Sequence, residues 1–245
     1  MAQDPQPKSE MPIISLLPNV LTLAAICAGL TAIRFGFHGD YARAVLLIVL
    51  ASVLDGVDGR LARLLKSESK MGAELDSLAD FLNFGVAAPL LLYSFALQDM
   101  RRAGWIAVLV FSVCCVIRLA RFNVQSKEPK TEAASQYFVG IPAPAGAMLA
   151  MLPMFVSFLV ADGPVVPAEL VALWMVIVGF FMISRVPTYS FKILTISRKN
   201  VRFFLLGAMV LIAALFSYLW VTLVVLDLVY IAGVLWAWRT YAKKD

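Results

Sequence analysis

Histidine and cysteine are almost missing from this chain: His38 is the one histidine, and Cys27, Cys114 and Cys115 are the three cysteines. All three cysteines lie inside apolar runs, as small packing residues do, which leaves no disulfide framework and no Cys/His zinc site. His38 sits beside Asp40 in a short polar connection and reads as a loop histidine. Charge is scarce too, at 15% of the residues, against about a quarter in an ordinary soluble domain. No basic and aromatic pattern of the kind that holds nucleic acid is present, so nucleic acid is not an expected partner. The N-terminus lacks a basic n-region, and the first apolar stretch keeps Asn19 and Thr22. It reads as a retained helix and not a cleaved signal.

Apolar residues fill the space, at 61% of the 245 positions. Residues 1–13 form a polar, Pro-containing tail, and residues 14–245 form a single membrane domain. Eight hydrophobic segments are expected, near 15–37, 41–64, 72–98, 103–124, 142–161, 165–186, 201–217 and 219–239. A span takes about 20 residues, so the expected fold is all-α, a polytopic transmembrane bundle. The last two segments come from one run, which as a single helix would be about 58 Å long, roughly twice the bilayer core. A reversal near Ser217–Trp220 is therefore expected. With both termini in the cytoplasm, 17 of the 21 basic residues fall on the inner side, a strong positive-inside bias. The expected location is the cytoplasmic membrane, with the acidic residues of the second and third segments in its cytoplasmic half.

Those acids are the sharpest feature. Asp55 and Asp58 are spaced i, i+3 on the second segment; Asp76 and Asp80 are spaced i, i+4 on the third. Each pair shares one helix face, and the short Lys66–Lys70 connection makes the two helices antiparallel neighbours. Four acids of one sign cannot neutralise one another at membrane depth. Oxygen ligands without Cys or His suit Mg²⁺ or Mn²⁺, and two ions fit four carboxylates better than one. Gly56, Gly59, Ala62 and Gly72 let a ligand approach the backbone. Arg63 offers a planar fork for phosphate. Together these groups describe a pyrophosphate site.

The string Asp55-x-x-Asp58-Gly59-x-x-Ala62-Arg63-x8-Gly72-x3-Asp76-x3-Asp80 resembles the signature of the CDP-alcohol phosphotransferase family at every fixed position. The resemblance implies displacement of CMP from a CDP-linked lipid by an alcohol. It implies that Asp55, Asp58, Asp76 and Asp80 hold a pair of divalent cations and that Asp80 is also the general base. It places Asp55, Gly59, Ala62, Arg63, Ser69 and Gly72 at the CDP moiety, together with Asn19 and Thr22 from Pro18-Asn19-Val-Leu-Thr22. It also implies a homodimer.

Three further stretches bear on the alcohol. Arg118-Leu-Ala-Arg121-Phe-Asn123, Phe138-Val-Gly140-Ile-Pro142-Ala-Pro144 and Ser184-Arg185-Val-Pro187-Thr-Tyr189-Ser-Phe-Lys192 resemble patterns of the phosphatidylserine synthase branch. That likeness implies CDP-diacylglycerol and L-serine as substrates, with phosphatidylserine and CMP as products. Arg118, Arg121 and Lys192 are the cations available for a serine carboxylate; each also serves as a topology charge at a helix end. Glycerol 3-phosphate and inositol phosphate enzymes need basic residues as well, so charge alone leaves the acceptor open. A cation transporter using the same acids is the rival from another class. Such a protein would show discontinuous helices in repeated halves, whereas these acids cluster in one half beside Arg63.

Overall fold

The computed structural model describes residues 13–127, 137–160, 163–184, 187–189 and 201–241. Helix α1 (Leu17–Phe37) carries Pro18 in its first turn, where the missing N–H leaves no helical bond unmade. Its buried face is Ala25, Ala28, Gly29, Ala32 and Gly36. Helix α2 (Tyr41–Leu64) answers with buried Ala44, Val45, Ile48 and Ala51, and the two helices pack along their lengths. In lipid, where burying apolar area gives little drive, such small residues bring backbones close enough for dispersion to hold them. Asp40 starts α2 by accepting from Arg43 N at 3.2 Å.

Helix α3 (Lys70–Asp80) is capped by Ser69, whose Oγ accepts from Gly72 N at 2.9 Å. The helix does not stop at Asp80. It runs on through wide, π-type turns over Phe81–Ala87 and through α4 (Ala88–Leu92) to Met100, a rod of 31 residues. Pro89 gives a local cause, since it has no N–H for the carbonyl one turn back and its ring crowds that turn. Wide turns of this kind recur where a side chain has to be re-aimed.

Helices α5 (Arg102–Lys127), α6 (Ala143–Val160) and α7 (Ala168–Ile183) complete the core. Gly179 lets α7 close on α5, since a Cβ there would stand 3.3 Å from the Phe111 Cα. Trp174 on α7 donates to the Leu149 carbonyl of α6 at 2.7 Å. Two three-residue strands, β1 (Tyr137–Val139) and β2 (Pro187–Tyr189), pair antiparallel with Phe138 opposite Thr188. They add a small β element to the helical fold that the sequence suggests. Helix α8 (Val201–Ser217) packs chiefly on α9 (Leu219–Tyr241). Tyr218 alone separates them, inside the interval expected for the break.

All eight expected segments are helical over most of their length. Among the described residues, five helical stretches are long and apolar enough to cross a bilayer: Ile14–Phe37, Lys70–Met100, Arg102–Gln125, Ala143–Val160 and Leu219–Thr240. Helix α2 has the length but carries the charged motif, and α7 and the apolar part of α8 are shorter. The chain is a multi-pass helical membrane protein.

Candidate active site

The i, i+3 and i, i+4 spacings do what periodicity requires: they turn the acids of α2 and α3 toward each other. Carboxylate oxygens of Asp55, Asp58 and Asp76 all lie within 4.8 Å of one another. That is a geometry for oxygen ligands around a divalent cation. Asp58 is 3% exposed; Thr22 of α1 donates a hydrogen bond to its Oδ2, and its Oδ1 is buried without a hydrogen-bond partner. An anionic oxygen left in that state needs a cation or a proton, so the donor set fits a metal. Asp80 lies against Asp55, side chain to side chain, and within electrostatic reach of Asp76; its Oδ1 is likewise buried and unpartnered.

Beside the acids lies a cavity of about 190 Å³ between the ends of α1, α2 and α3. Pro18, Asn19 and Thr22 form one wall, Asp58, Gly59 and Ala62 a second, and Ser69, Gly72 and Asp76 a third. Six positions proposed from the sequence for the CDP moiety therefore meet around one space. Arg63 differs: it is exposed, is absent from the lining, and its Nε donates to the Gly59 carbonyl at 3.0 Å. Gly59 and Gly72 face the cavity differently. A Cβ on Gly59 would meet nothing within 4 Å, whereas one on Gly72 would stand 3.0 Å from Asn19 Oδ1.

The three stretches of acceptor-type sequence also converge. The Arg121 guanidinium donates to the carbonyls of Ile183 (2.9 Å) and Ser184 (3.4 Å) at the end of α7. Asn123 Nδ2 donates to Ser77 Oγ at 2.9 Å, one residue past Asp76. The Phe138 and Pro187 stretches are joined as β1 and β2. Gly140, at φ +86, follows β1 and closely approaches the Met182 carbonyl. Of the three cations considered for serine, Arg121 thus holds the end of α7 and Lys192 lies outside the described residues. Arg118 is 9% exposed, stacks over the Phe122 ring at 5.5 Å, and lies within electrostatic reach of Asp80 and Asp55.

Sequence reasoning passed over several buried polar groups. Asn83, three residues past Asp80, is 1% exposed with no partner at either amide atom. Asp227 and Tyr230 on α9 each bury an unpartnered oxygen. A lone acid inside an apolar helix is a signal that could have flagged Asp227; Asn83 and Tyr230 give none.

Fold and site define a class: a multi-pass helical membrane protein built around a buried carboxylate cluster. Residues 15–184 match the model of the CDP-alcohol phosphatidyltransferase family, and the chain belongs to that family. It is similar to proteins named CDP-diacylglycerol–serine O-phosphatidyltransferase. The Mycobacterium leprae (strain TN) protein is 41% identical over 184 residues, 74% of this chain and 61% of the relative. The Helicobacter pylori (strain 26695) protein is 35% identical over 189 residues, 74% of this chain and 76% of the relative. The Bacillus subtilis (strain 168) protein is 37% identical over 140 residues, 57% and 76%. The chain thus matches about three-fifths of the length of its mycobacterial relatives.

Proposed function

We propose that this protein transfers the phosphatidyl group of CDP-diacylglycerol to the hydroxyl of L-serine, giving phosphatidylserine and CMP. The observation that carries this reading is the meeting of Asp55, Asp58 and Asp76 beside a cavity lined by the nucleotide-type positions Asn19, Thr22, Gly59, Ala62, Ser69 and Gly72. Serine as acceptor draws support from the printed activity of the relatives and from the convergence of the three acceptor-type stretches. Asp55, Asp58, Asp76 and Asp80 would hold a pair of divalent cations, Mg²⁺ or Mn²⁺. When bound there, such ions supply Lewis-acid polarisation of the pyrophosphate and neutralise charge on the leaving nucleotide.

The rest of the reaction belongs to the side chains. Small residues at Gly59, Ala62 and Gly72 admit the nucleotide, and Thr22 fixes the Asp58 carboxylate by its hydroxyl. Asp80, beside Asp55, takes the proton of the acceptor hydroxyl. The freed oxygen attacks the phosphorus bearing diacylglycerol. The bond from that phosphorus to the CMP oxygen breaks, and CMP leaves with the electron pair. Low dielectric around the buried acids sharpens each of these charge interactions.

Eight spans with both termini in the cytoplasm agree with the basic-residue bias, and this arrangement opens the site to the cytoplasmic leaflet of the cell membrane. The lipid tails then enter sideways between helices. A homodimer completes the proposal on family resemblance. The test supplies the purified full chain and Mn²⁺ with CDP-diacylglycerol and, separately, serine, glycerol 3-phosphate or inositol phosphate, and measures CMP release. Serine-dependent CMP release is expected. Release with glycerol 3-phosphate or inositol phosphate and none with serine would reassign the acceptor; no release with any of them would remove the enzyme reading.

A further inference from the structure

Helix α9 lies beyond the residues that match the family model, 15–184. Its inward face is apolar at Trp220, Leu223, Val224 and Ile231. Asp227 and Tyr230 interrupt that face at i, i+3. Asp227 is 5% exposed, and the Tyr230 hydroxyl is buried with no hydrogen-bond partner. Leaving a phenol O–H unpaired in a membrane protein's interior is costly. Such a group pays its way only if a partner arrives.

The Tyr230 hydroxyl lies within electrostatic reach of the Arg118 guanidinium. Arg118 is itself nine-tenths buried. Among the described residues its five N–H donors make no hydrogen bond and no ion pair within 4 Å. Donors from two helices therefore lie in one region, and neither is hydrogen-bonded to a described residue. That region is level with the acids. The Ser77–Asn123 bond and the Arg121–Ile183 bond put the Lys70 end of α3, the Lys127 end of α5 and the Ile183 end of α7 together. Stacking of Phe158 on Trp220 at 4.5 Å runs α9 antiparallel to α6, and α9 also packs on β2. Tyr241 then belongs to the same end. Asp80, Arg118 and Tyr230 lie ten, nine and eleven residues from those ends, each about 15 Å deep at 1.5 Å per residue.

We infer that Tyr230 and Arg118 together form the subsite for the carboxylate of an amino-acid acceptor, making Tyr230 a specificity-determining residue. The inference rests on the proposed use of serine. An anion near four carboxylates is repelled unless a cation stands closer to it, and Arg118 is within electrostatic reach of both Asp80 and Tyr230. A guanidinium and a phenol O–H can both donate to a carboxylate, and the guanidinium charge repels an ammonium. Held there, the acceptor's hydroxyl is left free to point toward Asp80.

The experiment compares wild type with Tyr230→Phe, a change that keeps the ring and its packing. Both are assayed for CMP release from CDP-diacylglycerol with serine and with ethanolamine, which has the amine and hydroxyl but no carboxylate. The KM for serine should rise by about tenfold or more, the size of a lost hydrogen bond to a charged group, while kcat changes far less. The preference for serine over ethanolamine should shrink by the same factor. An unchanged KM for serine in Tyr230→Phe overturns the inference while the serine reading stands. A loss of kcat with both alcohols, at unchanged preference, makes Tyr230 structural and also overturns it. If wild type releases no CMP with serine, the serine reading falls first and this subsite with it.

Discussion

Asp58 is the most tightly held of the four acids, and its neighbours show how one residue sets the chemistry of another. Thr22 comes from a different helix, yet its hydroxyl orients the Asp58 carboxylate, its single O–H shared between Asp58 Oδ2 and the Pro18 carbonyl at 3.1 Å. Thr22→Val keeps the shape and removes that donor. The Mn²⁺ concentration needed for half-maximal CMP release should rise about tenfold or more, as for other groups that orient a ligand. An unchanged metal requirement would leave Thr22 with a packing role. Gly59 separates folding from binding. Since a Cβ there meets nothing within 4 Å, Gly59→Leu should keep the thermal unfolding temperature and raise the KM for CDP-diacylglycerol roughly tenfold by filling the cavity. Asp80→Asn should retain CDP-diacylglycerol binding and lose turnover; retained turnover would take away its role as base.

Elements are set by local pattern and joined by groups the pattern does not reveal. The acids were readable because i, i+3 and i, i+4 spacing holds wherever a helix forms. The partnership of β1 with β2 was not readable. Phe138 and Thr188 are 50 positions apart, and three-residue strands carry no period of their own. Arg121 shows the same limit: its hydrogen bonds to the carbonyls of Ile183 and Ser184 on another helix leave no mark in its own stretch. Arg121→Ala should lower stability by about 1–3 kcal/mol, as expected for hydrogen bonds to a charged group, read as an earlier thermal unfolding in detergent. Gly140→Ala should also cost about 1–3 kcal/mol, because φ +86 suits glycine and the added Cβ meets the Met182 carbonyl.

For the whole molecule, the membrane sets the frame. Large apolar side chains such as Phe203, Met209 and Phe216 are exposed on α8, as a lipid-facing helix requires. The proposed orientation has a direct check in a background without native cysteines. Lys70→Cys should resist a membrane-impermeant thiol reagent in intact cells and label after lysis, and Arg102→Cys should label in intact cells. The opposite pattern would invert the topology and put the acids on the outer side. Chelation of divalent ions should stop CMP release and restored Mn²⁺ should recover it; full activity in chelator would remove the metal from the site.

The order of residues alone determined that this chain lives in a membrane and that two neighbouring helices carry paired acids, because hydropathy and helical period are properties of consecutive residues. Gly59 and Gly72 share a short stretch with those acids, and resemblance to the family's pattern marked Asn19 and Thr22 on the helix before. Tertiary structure decided what distance along the chain conceals: that Asp80 lies against Asp55, that Tyr230 comes within electrostatic reach of Arg118 from a helix over a hundred positions later, and that Arg121 donates to the Ile183 carbonyl 62 positions away. A hydrogen bond acts over about 3 Å of space, and only packing brings such remote groups within that reach.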